Sequence, residues 1–99
     1  MTVTKRATGQ ELQRLYQAFA DADDPAQIEA LIEDLCTISE RNEMAQRLTV
    51  AFMLDAGESY VAIQEKTGAS ATTIARVSKC LNYGSGAYRT VIDRRQNQV

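Results

Sequence analysis

Apolar residues recur along most of this chain at three- and four-residue steps, the period of a helix with one buried face. Leu12, Leu15, Tyr16 and Phe19 follow that step within residues 8–20, with Gln, Glu and Arg on the opposite side. The segment 21–24, acidic at Asp21, Asp23 and Asp24, ends this first helix. Asp24-Pro25 then opens a second. Aspartate accepts from the free N–H groups of a first turn, and proline lacks an N–H that has no partner there anyway. Ile28, Leu31, Ile32 and Leu35 face inward along it, to about Cys36. Thr37-Ile-Ser-Glu40 has the spacing of a capping box. It predicts a third helix over about residues 38–56, ended by Gly57.

The later part of that third helix, Leu48-Thr-Val-Ala-Phe-Met-Leu54, is apolar around nearly its whole circumference. A helix without a polar face needs cover on all sides. A 99-residue chain of short helices has little material to supply it. The pattern therefore predicts a homodimer with the third helix near its centre.

Residues 59–81 predict a helix-turn-helix. Ser59 caps the first short helix and Ile63 anchors it inward. Gly68 sits where the helix must stop, because a residue without Cβ adopts the left-handed conformation at little cost. Ser70 caps a second helix that runs from Ala71 to about Leu81, with Ile74, Val77 and Leu81 as its buried stripe. Between them lie Thr72, Thr73, Ala75, Arg76, Ser78 and Lys79. One buried stripe with short donors and two long cations elsewhere suits the major groove of DNA. Plain α-hairpins also carry helix–glycine–helix patterns, but the spacing Ile63, Gly68, Ser70, Ile74, Val77 is stricter than they need. Gln64 departs from the motif, standing where most examples have alanine. Arg76 and Lys79, with Ser70, Thr72 and Thr73, are the candidates for contact with bases and phosphates. Lys66, Ser70 and Ala71 would hold the DNA backbone at the helix ends.

A turn by composition follows at residues 82–86, then a last helix over about residues 87–95 with Tyr88, Val91 and Ile92 on one face. No strand pattern or internal repeat interrupts the series. The expected architecture is all-α, about six helices in one domain over residues 1–99, with flexible ends at 1–7 and 96–99.

Composition narrows the chemistry. Apolar residues make up 44% and charged ones 24%, ordinary for a soluble globular chain. The longest apolar run, residues 50–54, is far too short to span a membrane, so the cytoplasm is the expected location. There is no histidine and no C-x-x-C, which removes the common zinc sites and the Ser/His and Cys/His catalytic pairs. No metal or cofactor is expected, and no catalytic residue, so the chain does not read as an enzyme. Cys36 and Cys80 are expected to be buried, reduced thiols. The acidic group Asp23, Asp24, Glu29, Glu33 and Asp34 reads as a solvated face. The net charge is −2, but it is unevenly spread. Up to residue 58 there are five Lys/Arg against eleven Asp/Glu, and from Ser59 onward six against two. The basic half contains the candidate reading helix, and local potential rather than net charge steers a polyanion.

The segments Asp34-Leu-Cys-Thr-Ile-Ser-Glu-Arg41, Ala45-Gln-Arg-Leu48 and Cys80-Leu-Asn-Tyr-Gly84, with Val91-Ile-Asp-Arg94 beyond, resemble the Trp repressor superfamily. The resemblance is closest to its TrpR-like YerC/YecD branch and covers roughly residues 28–94. It implies an intertwined all-helical homodimer whose two helix-turn-helices enter successive major grooves, the docking that Trp repressor itself exemplifies. It also implies a corepressor pocket. Arg47 and Arg76 match the two arginines that sandwich the ligand's indole, Thr73 a threonine beside them, and Thr37 the threonine that starts the central helix. Val77 replaces a glycine of that pocket and Cys80 a serine. A small-molecule corepressor would thus meet Thr37, Arg47, Thr73, Arg76, Val77 and Cys80, in a pocket too narrow for tryptophan.

Two readings follow. The first is a homodimeric, sequence-specific DNA-binding transcriptional regulator, a repressor by resemblance, whose partner is double-stranded DNA. The second, favoured by Gln64, the acidic total and the filled pocket, is a helical dimeric interaction module without DNA reading.

Overall fold

Five of six helix starts are set by a polar side chain just ahead of them. The hydroxyl or carboxylate oxygens of Thr8, Asp24, Thr37, Ser59 and Ser70 each accept from the backbone N–H three residues on, at 3.0–3.1 Å. Each such cap contributes about 1 kcal/mol, which is why these boundaries are sharp. The structure, a computed structural model, describes residues 5–96. They form α1 (Gly9–Ala22), α2 (Pro25–Leu35), α3 (Ile38–Asp55), α4 (Tyr60–Thr67), α5 (Ala71–Tyr83) and α6 (Ala87–Gln96), with no strand among the described residues. The fold is all-α, as the periodicity predicts. Residues 5–8 carry no regular structure, and the rest of the expected flexible ends, 1–4 and 97–99, lies outside the described residues.

The chain divides into two compact units, Met1–Arg41 and Asn42–Val99. In the first, α1 packs on α2. Asp23 links them with φ +60°, and Asp24 then caps α2 with Pro25 in its first turn. The first turn of α3 also belongs here. Thr37 N–H donates to Glu40 Oε1 at 2.8 Å and Thr37 Oγ1 accepts from Glu40 N–H at 3.1 Å, the reciprocal capping box. The Thr37 backbone N–H, and after it the hydroxyl, hold the Glu40 carboxyl below its ordinary value of 4.5. Arg41 and Glu33 form an ion pair at 3.6 Å. Ala22 is the only buried apolar side chain described in this unit. Leu15, Phe19, Ile28, Leu31 and Ile32 are half-buried, while Tyr16 and Leu35 stay 57% and 51% exposed.

The second unit holds the core. Val50 and Ala51 from α3, Ile63 from α4, Ala69 from the turn, Ile74, Val77 and Leu81 from α5 and Ile92 from α6 form one cluster. Phe52, Met53, Leu54 and Tyr88 pack against it. Full burial of a branched aliphatic side chain stabilises by about 1.5–3 kcal/mol, so this cluster holds the helix-turn-helix in place. All four predicted anchors of the motif, Ile63, Ile74, Val77 and Leu81, are in it. The apolar circumference of α3 is only partly covered: Val50 and Ala51 are buried, whereas Leu48 is 40% exposed.

Several boundaries differ from expectation. Helix α1 runs to Ala22 rather than ending near residue 20; Asp21 stays within it, its carboxylate accepting from the Gln17 amide one turn earlier at 2.9 Å. Helix α5 continues to Tyr83, two residues past the expected end, so Asn82 and Tyr83 are helical rather than part of the turn. The Asn82 amide donates to the Ser78 carbonyl at 2.9 Å, which satisfies it within the helix. The true stop is Gly84. Its N–H donates to the Cys80 carbonyl at 2.9 Å, and a Cβ there would lie 2.3 Å from that same oxygen. Gln96, expected in the loose tail, belongs to α6. The cysteines also differ. Both are free thiols, but Cys36 is half-buried and Cys80 exposed, because Cys80 lies off the Ile74–Val77–Leu81 stripe.

Candidate nucleic-acid interface

The turn between α4 and α5 is fixed from three sides. Gly68 takes φ +75°, the left-handed conformation. Thr67 Oγ1 donates to the Ile63 carbonyl at 2.7 Å and accepts from Ala69 N–H at 3.1 Å. Gln46 Nε2 of α3 donates to the Thr67 carbonyl at 3.1 Å, tying the end of α4 to α3. Ser70 then caps α5, and its hydroxyl also donates to Thr73 Oγ1 at 3.0 Å.

The expected contact residues separate into two groups on this scaffold. Thr72, Arg76 and Lys79 are exposed on α5 while Ile74 and Val77 are buried, so the exposed polar face and the core face are cleanly divided. Ala71 is exposed in the first turn. Ser70 and Thr73 bond to each other, and Thr73 is half-buried. Lys66 is exposed but engaged by Glu58 in an ion pair, which lowers the positive charge it offers a polyanion. Arg89 is likewise paired, with Asp55. Arg47, Arg76 and Lys79 have no acidic partner among the described residues. An ion pair between Arg47 and Glu43, the simplest alternative use of that arginine, is not formed. Tyr83 is absent from the predicted set yet is 86% exposed. The spacing Arg76, Lys79, Tyr83 is one helical stripe, a signal present in the sequence.

Arg47 from α3 and Thr73, Arg76, Val77 and Cys80 from α5 line one cleft of about 180 Å³, closed by Tyr88 of α6. Five of the six residues expected for an effector pocket thus come together. Thr37 belongs to the first unit, where its hydroxyl is used in the capping box. Tyr88 was missed because it lies in a separate helix with no pocket signature of its own. A larger apolar cleft of about 370 Å³, lined by Leu48, Gly84, Ser85, Ala87 and Val91, shares Cys80 and Tyr88 with it.

The family profile described as Trp repressor protein matches residues 10–96. The chain belongs to the Trp repressor family. Its relatives place it in the TrpR-like YerC branch. It is 45% identical over 86 residues to the uncharacterized protein YerC of Bacillus subtilis (strain 168), covering 87% of this chain and 83% of that one. A TrpR-like protein from Eubacterium eligens, solved by crystallography, superposes with TM-score 0.86 at 40% identity over 91% of this chain and 93% of that one. A Staphylococcus aureus crystal structure, provisionally assigned as a Trp repressor, gives TM-score 0.85 at 34% identity, over 93% and 92% of the two chains. This Trp repressor family member has no group of three or more metal-ligating side chains among its described residues. No described helix is long and apolar enough to cross a membrane.

Proposed function

We propose that this Trp repressor family member is a sequence-specific DNA-binding transcriptional regulator that acts as a homodimer, with α5 in the major groove. The observation that carries the reading is the division of α5. Its apolar stripe is sealed in the core while Thr72, Arg76 and Lys79 stand exposed, the two cations without an acidic partner among the described residues. Arg76 and Lys79 would supply base and phosphate contacts, with Thr72 beside them and the α5 start at Ser70 and Ala71 against the backbone. Lys66 has a reduced role, because Glu58 already holds its charge.

The dimer is supported by the apolar side chains that one chain leaves uncovered. Tyr16, Leu35, Ile38, Met44 and Leu48 are all more than a third exposed, and a second copy is the occupant the family favours. Two-fold symmetry then predicts a near-palindromic operator with half-sites one DNA turn apart, about 34–36 Å. The arginine cleft is the place for a small-molecule effector. Val77 and Tyr88 line this cleft of about 180 Å³, and a branched side chain at position 77, where the resemblance has glycine, argues against a ring as large as indole.

The test is selection of binding sites from a random duplex pool, with Arg76→Ala in parallel. The parent enriches a near-palindrome. The variant loses about 1–3 kcal/mol of affinity, confined to particular base pairs if Arg76 reads bases and uniform if it contacts phosphate. A parent that enriches nothing, with or without a pool of small metabolites, would leave the interaction module as the better reading.

A further inference from the structure

Helix α6 carries a polar bridge that the DNA-reading side chains do not use. Arg89 Nη1 donates to Asp55 Oδ1, at the end of α3, at 2.6 Å. Arg89 Nη2 donates to Asn82 Oδ1, in the last turn of α5, at 3.2 Å. The second Asp55 oxygen accepts from Gln96 Nε2 at 3.0 Å. The Asn82 amide nitrogen is itself held by the Ser78 carbonyl. One guanidinium therefore spans two helices, with each acceptor in turn fixed by a further bond. Nearby, Ile92 of α6 is fully buried in the core.

This bridge has a counterpart at the opposite end of the motif. There, Gln46 of α3 holds the Thr67 carbonyl at the close of α4. The helix-turn-helix is thus tied to α3 directly at its α4 end and through α6 at its α5 end. The Arg89–Asp55 pair is partly solvent-exposed, with the arginine side chain 45% accessible, and such pairs add little to stability. Geometry is the stronger use of a planar fork that meets two acceptors on different helices. Thirteen residues make α5 about 20 Å long, so a tilt of about 10° moves one end by about 3.4 Å, the rise of one base pair.

We infer that Arg89 is a positioning residue for DNA reading: by forking between Asp55 and Asn82 it sets the angle of α5 on α3, and with it the half-site spacing the dimer accepts. The inference rests on the DNA-reading function proposed above. Arg89 need not touch DNA in this role, and Asp55 and Asn82 are parts of the same device.

The experiment uses the full chain on the selected operator and on duplexes with one base pair inserted or deleted between the half-sites. The parent is expected to lose about tenfold or more in affinity at each altered spacing. Arg89→Gln is expected to bind the original spacing more weakly and to lose most of that discrimination, with near-parent helicity and thermal midpoint. Simple destabilisation would lower binding at every spacing by the same factor, which overturns the positioning role. Asn82→Ala leaves the Arg89–Asp55 pair intact and should flatten the spacing profile in the same direction. It decides the matter if Arg89→Gln does not fold. A parent spacing profile retained in both variants overturns the inference alone. A parent that selects no duplex overturns the DNA-reading function and the inference with it.

Discussion

The two halves of this chain are written in the same helical language and finish very differently. Residues up to Arg41 and residues from Asn42 onward both show apolar positions at helical spacing, and both form the helices that spacing predicts. The second unit closes a core within one chain, with Val50, Ile63, Ile74 and Ile92 at no exposure at all. Among its described apolar residues the first buries only Ala22, and it leaves Tyr16 and Leu35 more than half exposed. An amphipathic stripe determines that a helix has a face to bury, but what covers the face depends on elements elsewhere in the fold or in another molecule. Here the unit with the buried core carries the helix-turn-helix, and the uncovered side chains for which a second copy is proposed lie in both units, Tyr16, Leu35 and Ile38 in the first and Met44 and Leu48 in the second.

The comparison can be broken first in the core. Ile63→Ala should cost about 2–5 kcal/mol in chemical denaturation, because a fully buried side chain leaves a cavity. A loss under 1 kcal/mol would show that the second unit is not closed as described. Gly84→Ala, in the same unit, should cost about 1–3 kcal/mol, since the new Cβ meets the Cys80 carbonyl oxygen. A thermal midpoint equal to the parent's would contradict that geometry. In the first unit, Leu35→Asp should leave helicity intact and raise the dimer dissociation constant about tenfold or more in sedimentation. If Leu35 is not covered by a second copy, the change stays within the ±0.5 kcal/mol of an ordinary surface substitution and self-association is unaltered.

The smallest expected effect is at the first turn of α3. Glu40 has a depressed carboxyl, so its contribution to stability is present above the unfolded value and is lost as pH falls through the folded one. A carboxyl-detected NMR titration should therefore place Glu40 below 4.5. In Thr37→Ala the midpoint should rise part of the way back, because the hydroxyl is gone while the backbone N–H remains. An unchanged midpoint would mean the hydroxyl plays no part.

Much of the fold was legible from local chemistry. The caps at Thr8, Asp24, Thr37, Ser59 and Ser70 and the left-handed Gly68 depend on residues within three or four positions, so sequence alone announces them. The misplaced end of α5 shows the limit. Cys80-Leu-Asn-Tyr-Gly84 has turn composition, yet Asn82 bonds back to Ser78 and the helix continues to the first residue where a Cβ would collide. The site followed the same rule. Arg47, Thr73, Arg76, Val77 and Cys80 were expected together and meet in one cleft, but Tyr88 completes it from α6 with nothing local to mark it. The pairing of Lys66 by Glu58, eight residues earlier across the start of α4, was likewise unmarked.

What the amino-acid order determined by itself is the set of helices, their caps, and which face of α5 is apolar and which is basic and hydroxylated. These follow from bonds and periodicities a few residues long. Only the tertiary structure decided which charges are already spent, what walls the arginine cleft, and that Arg89 joins the ends of α3 and α5. Asp55 and Arg89 are 34 residues apart, and no local pattern brings them together. The packing of Ile92 into the core places α6 where that contact can form.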